Sequence, residues 1–207
     1  MCLMLPVGTA VAWWLAFGKG TRRKAVVETL VTLPLVLPPT VIGYYLLLVF
    51  GNGTSFGRFV NDTLNVHLLF TWQGAAVAAA VMASPLYIRT VAAALAAVDP
   101  ELLEWGRTVG ATEPQIFARV TLPLAYRGVC VGVTLAVARA LGEFGATLIV
   151  AASLPNRTQT LPLALYDAVQ TGNDSASLFY TLVLTGVAFV LLGIVAAFQT
   201  RIATRRN

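Results

Sequence analysis

Long apolar stretches, continuous rather than alternating, are separated along this chain by short polar and basic clusters. Five of them predict membrane-spanning helices: Cys2–Phe17, about Ala25–Phe50, about Leu68–Val98, about Gly128–Leu154 and about Leu178–Phe198. A helix needs roughly 20 apolar residues to cross the hydrocarbon core. A transmembrane barrel would instead show alternating strands of about ten residues, so the pattern argues against one. The first stretch gives about 24 Å of helix against a core of about 30 Å, and is expected to be a shortened span whose true start lies upstream. A signal peptide is not expected there, because the basic cluster follows the apolar run and GKGTRRK offers no small-residue cleavage site. The expected fold is all-α, a polytopic membrane helix bundle of about five spans forming a single domain over residues 1–207. No soluble domain, internal repeat or low-complexity linker interrupts it.

Composition agrees with that class. Hydrophobic residues make up 57% and charged residues 11% of the chain, where a soluble domain carries about 25% charged residues. The mean hydropathy is +0.78. The basic residues are distributed unevenly. If the polar loop at about 99–123 is cytoplasmic, Lys19, Arg22, Arg23, Lys24, Arg89, Arg107, Arg119, Arg127, Arg201, Arg205 and Arg206 all fall on or near the inner side. Only Arg58 and Arg157 fall outside, and Arg139 lies within a span. The positive-inside rule then places the N-terminus out and the C-terminus in. The net charge of +5 reflects this bias and calls for no nucleic-acid partner.

Catalytic chemistry is not evident. The chain has no G-x(4)-G-K-[ST] phosphate loop, no Ser/His/Asp set and no HExxH, so active transport would draw its energy from a partner. Cys2 and Cys130 lie in apolar segments without metal spacing and are expected to be free thiols. His67 is the single histidine, at the outer edge of a span. Asn52, Asn61, Asn156 and Asn173 each begin an N-x-S/T triplet on the expected outer side, a pattern attributed to chance.

Local signals organise the polar loop EWGRTVGATEPQIFARVTLP, Glu104 to Pro123. Asp99 can cap a helix whose first residue is Pro100, where a missing N–H costs nothing. Gly110 suits a left-handed stop. Thr112 and Gln115 then form a capping pair, with Pro114 in the first turn. Helix, glycine turn, helix is expected.

Three further segments carry unusual residues. In Arg139-Ala-Leu-Gly-Glu143-Phe-Gly145-Ala-Thr147, two charges four apart would share a helix face and pair. A charge at mid-membrane costs about 2.5–3.5 kcal/mol on insertion scales. Two roles stay open for it, a structural pair that locks the bundle or a pathway or gate element, with Gly142 and Gly145 permitting close contact or a break. Leu33-Pro-Leu-Val-Leu-Pro-Pro39 cannot continue as a regular helix, which places Pro38 and Pro39 inside the bundle or at a kinked helix entry. Leu161–Val169 is too short to cross and is expected to be a short outer helix or re-entrant piece, within reach of a soluble binding protein.

The loop resembles the EAA motif of ABC-importer permeases, roughly E-A-A-x-x-x-G-x(9)-I-x-L-P. Here Glu104, Gly110, Leu122 and Pro123 are in place, with Trp105, Gly106 and Val120 as departures. LPLVLPPTVIGYYLLLVFG, ARALGEFGAT and RTQTLPLALYDAVQTG closely resemble the molybdate ABC transporter permease family, from about residue 3 to 200. The resemblance implies a permease subunit of the cell (inner) membrane that moves molybdate or a related tetrahedral oxyanion inward by alternating access. It implies a second copy of the chain, two ABC ATPase subunits that bind ATP and Mg, and an extracytoplasmic molybdate-binding protein. The permease itself holds no cofactor or metal. Glu104, Gly106, Arg107, Gly110, Ala111, Leu122 and Pro123 become the ATPase-docking set. Pro38, Pro39, Arg139, Glu143, Gly145 and Thr147 become the candidate pathway or gate. Sulfate, thiosulfate or tungstate permeases stay open as alternatives, and more remotely a non-ABC channel or a membrane enzyme.

Overall fold

The computed structural model describes residues 4–63 and 67–203; Cys2, Arg205 and Arg206 lie outside the described residues. Among these there is no strand, and eleven α-helices follow one another: α1 (Met4–Phe17), α2 (Thr21–Val36), α3 (Pro39–Phe50), α4 (Ser55–Arg58), α5 (Trp72–Ala96), α6 (Pro100–Thr108), α7 (Glu113–Ile116), α8 (Leu122–Leu141), α9 (Gly145–Ala151), α10 (Leu161–Gln170) and α11 (Asp174–Ala203). Single π-turns lie at Phe59–Thr63 and Phe117–Thr121. The second joins α7 to α8, so that Glu113–Leu141 runs as one apolar helix long enough to cross a membrane. Trp72–Ala96 and Asp174–Ile194 are also long and apolar enough.

The central element is α5. One face packs with α1, α8 and the 100–121 segment around Ala12, Ala83, Tyr87, Val91, Leu95, Leu103 and Ile116. The other packs with α3 and α9 around Ile42, Ala78, Met82, Ala146 and Val150. Small residues make these crossings tight. A Cβ on Gly132 would meet Val91 Cγ2 at 3.1 Å, and Gly128 faces Ala94. Lipid tails are as apolar as leucine, so helices in a bilayer associate through close packing of this kind. Across the α1–α5 contact the Thr9 and Tyr87 hydroxyls bond at 2.7 Å, and Gly8 leaves room for the Tyr87 ring.

Two expected spans differ from the observed helices. The second is broken: α2 and α3 meet at 115° and only together have the length and apolarity of a span. Leu37 (φ −73°, ψ 145°) and Pro38 (φ −54°, ψ 137°) are both extended. Each precedes a proline, and the proline ring pushes the residue before it out of the α region. Two such steps in succession end the helix, whereas the isolated Pro34 is accommodated inside α2. The fourth span starts earlier than expected, at Leu122 or above, and stops at Leu141, with α9 continuing after a break at 142–144. As expected, α10 is a short separate helix.

The α3–α9 crossing generates a stability prediction. A Cβ on Gly43 would sit 2.9 Å from both Cα and the carbonyl oxygen of Ala146. These backbone atoms can yield only by moving the helices apart. Gly43→Val is expected to destabilise the detergent-extracted protein by about 1–3 kcal/mol, the usual cost of overpacking. Thermal denaturation matching that of the parent would contradict the crossing.

Candidate functional site

Two constellations carry the residues singled out in the sequence. The first is the 99–123 segment. Asp99 Oδ1 accepts from the Glu101 N–H at 3.0 Å and Pro100 opens α6. Gly110 takes φ 81°, with its N–H on the Arg107 carbonyl and the Ala111 N–H on the Gly106 carbonyl. Gln115 Oε1 accepts from the Thr112 N–H at 2.9 Å as α7 begins. The helix–turn–helix is then fastened across its two arms. Gly106 lies flat against Ile116, where a Cβ would come to 3.0 Å. Arg107 Nε pairs with Glu113 Oε1 at 2.7 Å. That hydrogen bond holds the Glu113 carboxyl below its ordinary range and raises the Arg107 guanidinium in turn. A depressed carboxylate contributes its stability at neutral pH and loses it as pH falls through the lowered value.

The inner side of this segment is anchored in the bundle. Leu103 and Ile116 are buried, Ala111 packs against the same core, and the Trp13 and Phe117 rings meet edge-on at 6.4 Å. Its outer side is apolar. Leu102, Trp105 and Val109, at helical spacing, are exposed, the last two by 66% and 81%. Glu104 is exposed beside this stripe, close enough to Arg107 to favour its charge. Trp105, a departure from the motif, and Val109 are not among the residues expected to dock, although two large apolar side chains in an otherwise polar loop are the available signal for such a surface. Leu122 and Pro123 begin α8 below the π-turn, where the Thr121 hydroxyl bonds the Ile116 carbonyl at 3.5 Å.

The second constellation is the break between α8 and α9. Arg139 Nη1 and Glu143 Oε2 pair at 2.7 Å, as their spacing predicts. They do not share an unbroken helix face, however, because α8 has already ended when Glu143 is reached. Its carboxylate is 1% exposed. It turns forward to accept the Ala146 N–H through Oε1 at 2.9 Å, so one carboxylate holds the arginine and the first turn of α9. Gly145 lets α9 meet the start of α3, where an added Cβ would come within 3.0 Å of Pro39 Cβ.

Pro39, Thr40, Arg139, Glu143 and Gly145 thus surround one cavity of about 310 Å³. Thr147, 1% exposed, faces a second cavity of about 290 Å³ that also reaches Glu143. The structure therefore brings together Pro39, Arg139, Glu143, Gly145 and Thr147; Pro38 stands just before, as the cap of α3. The residues expected to dock an ATPase lie in the separate 99–123 segment.

Residues 8–206 match the family described as binding-protein-dependent transport system inner membrane component. The chain is 39% identical over 204 residues to the molybdenum transport system permease protein ModB of Escherichia coli (strain K12), covering 98% of this chain and 88% of that one. It is 40% identical over 171 residues to the ModB protein of Haemophilus influenzae, covering 83% and 74%. Among solved structures, a bacterial ABC transporter involved in the import of the acidic polysaccharide alginate superposes with a TM-score of 0.67 at 15% identity, covering 93% of this chain and 72% of that one. At that identity the likeness is one of fold.

The double duty of Glu143 sets up a three-way test. Arg139→Leu strands a buried carboxylate and is expected to cost about 3–5 kcal/mol. Adding Glu143→Gln removes the charge but keeps an acceptor for the Ala146 N–H, and should recover most of that loss. Two apolar residues at 139 and 143 should recover less. Thermal denaturation of the three extracted variants checks the order; equal stability of Arg139→Leu with and without the added Glu143→Gln would refute it.

Proposed function

The chain belongs to the family of binding-protein-dependent transport system inner membrane components, and from that premise we propose that it is the permease subunit of an ATP-driven ABC importer for molybdate or a related tetrahedral oxyanion. The observation that carries the substrate is the likeness, over nearly the whole chain, to molybdenum permeases. In this proposal the permease works with a second copy of itself, two ATPase subunits and an extracytoplasmic binding protein, and hydrolyses nothing itself.

The 99–123 segment is the coupling element. Its exposed face of Leu102, Trp105 and Val109, flanked by Glu104, offers the ATPase an apolar ridge with a charged edge. Aromatic anchors surrounded by polar contacts are what dominate protein interfaces. Its buried face, through Leu103 and Ile116, joins the core of α1, α5 and α8. A push on the ridge thereby reaches the helices that cross the membrane. ATP binding closes the two ATPase subunits and turns the pathway outward; hydrolysis returns it inward. The Arg139–Glu143 pair serves as a structural lock beside the pathway, because both oxygens of Glu143 and one guanidinium nitrogen of Arg139 are engaged.

Orientation and coupling are separately testable. In a background without cysteine, Thr112→Cys should react with impermeant thiol reagents from the cytoplasmic side alone, and Asn173→Cys from outside alone. Reversed labelling would overturn the topology. In proteoliposomes with the partner ATPase and binding protein, Glu104→Lys, Trp105→Ala and Gly110→Val should abolish most uptake of labelled molybdate while leaving the permease inserted. Unlabelled tungstate and sulfate, added as competitors, set the anion range. Parental uptake in all three variants would sink the coupling role, and a parent that moves no molybdate would sink the substrate.

A further inference from the structure

Ala78, Met82, Pro85 and Arg89 follow one another at helical spacing along α5 and form one stripe of that helix. The first three are buried. Ala78 and Met82 pack with Ile42, Ala146 and Val150, where α3 crosses α9. Arg89 is the first residue of the stripe to be exposed, and Ala93 and Ala96, which continue it, are exposed as well. The covered and open parts of the stripe therefore meet at Arg89, on the side of the α3–α9 crossing that leads to the 99–123 segment.

The other neighbours of α5 leave this position open. Gly128 and Gly132 of α8 face Tyr87, Thr90, Val91 and Ala94, and Gly8 of α1 faces Tyr87 and Ile88. From α2, Val31 enters the same core as α1 and α8. Arg89 is the single charged residue of α5, and among the described residues it makes no ion pair or hydrogen bond. It stands about 10 Å before the end of the helix at Ala96. A guanidinium against lipid tails is costly, and ionisable residues inside membrane helices face protein or a water-filled cavity and mark ion and substrate paths. Further along the same stripe, α5 supports the α3–α9 crossing, where Pro39, Thr40, Arg139, Glu143 and Gly145 surround their cavity. The charge of Arg139 is taken up by Glu143, whereas that of Arg89 is not taken up by any described carboxylate. An isolated cation without a cage of donors attracts an anion and does not trap it, as passage requires.

We propose that Arg89 lines the inner, water-filled half of the pathway and draws the tetrahedral oxyanion past the α3–α9 crossing toward the cytoplasm. The proposal rests on the oxyanion-importer reading above and on the orientation given with it. The test uses the complete importer in proteoliposomes, with uptake of labelled molybdate and binding-protein-stimulated ATP hydrolysis measured in parallel. Arg89→Gln should lower uptake by about tenfold, the low end of what a charge in a cleft adds to the local concentration of its counter-ion. Arg89→Lys should keep most of it, and ATP hydrolysis should stay at the parental level in both. In a background without cysteine, Arg89→Cys should react with water-soluble thiol reagents from the cytoplasmic side. A reagent that leaves an ammonium group on the sulfur should restore uptake, and one of similar size that leaves a neutral hydroxyl should not. An Arg89→Cys thiol closed to both reagents would place this position against lipid or packed protein and overturn the proposal, whether or not the variant transports. Parental uptake in Arg89→Gln, or equal rescue by the neutral reagent, would overturn it too. So would a matching fall in ATP hydrolysis for Arg89→Gln, which would assign the residue to coupling. A parent that hydrolyses ATP on addition of binding protein yet moves no molybdate would overturn the importer reading itself, and the role of Arg89 with it.

Discussion

A helix that stops inside an apolar environment must find partners for its freed backbone groups, because no water is there to take them. Much of this structure follows from how that requirement is met at Glu143. The chain leaves α8 at Gly142, and the next carboxylate reaches ahead to the Ala146 N–H while Arg139 balances its charge. With the start of α9 supported in this way, α9 can leave the line of α8 and lie against α3. That approach is close enough to require Gly43 and Gly145 at the contact. The broken pair α2–α3 is held in place by the same crossing. The two cavities beside the break exist because neither α8 nor α2 continues straight through.

The parts of the molecule that could be read from sequence are those with local chemistry. Asp99–Pro100, Gly110 and Gln115 each specify a backbone event within a few residues, and each is found as expected. The breaks were harder to place. Gly142 to Phe144 sits between two apolar runs, and hydropathy is the same whether or not a helix pauses there. The spacing of Arg139 and Glu143 predicted their pairing correctly, but the carboxylate makes its second bond forward across the break, which a helical wheel does not contain. Of the three prolines at 34, 38 and 39, sequence alone did not distinguish the one a helix absorbs from the two that end it. The difference lies in the paired X-Pro steps at Leu37 and Pro38. The exposure of Trp105 and Val109 is not legible in the sequence for the opposite reason. Apolar residues at helical spacing resemble core, and only the buried Leu103 and the flat Gly106 reveal which side of α6 faces inward.

The two cores share α5, so the 99–123 segment and the α8–α9 break are mechanically adjacent although they lie in different parts of the fold. Leu103 and Ile116 pack into the same cluster as Val91 and Leu95, and the opposite face of α5 presents Ala78 and Met82 to α3 and α9. Trp13 adds a second link, from α1 to Phe117 at the π-turn. A wide turn carries one more residue than the surrounding helix and often marks a functional position. Here it lies where the 99–123 segment passes into the long helix that continues as α8.

The composition of α5 has a consequence for motion. Toward α8 it presents Tyr87, Thr90, Val91 and Ala94 to Gly128 and Gly132, and the buried surface of α8 also includes Ala125 and Ala136. Glycine and alanine have no rotamers to change, and β-branched Thr90 and Val91 have few. A contact made of them cannot adjust by side chains swinging into new wells, as one built from leucine or methionine could. It either holds its register or shifts as a whole. α5 and α8 should then act as one stiff lever, with compliance concentrated at Leu37–Pro38 and at Gly142–Phe144, where the backbone is already out of helical geometry.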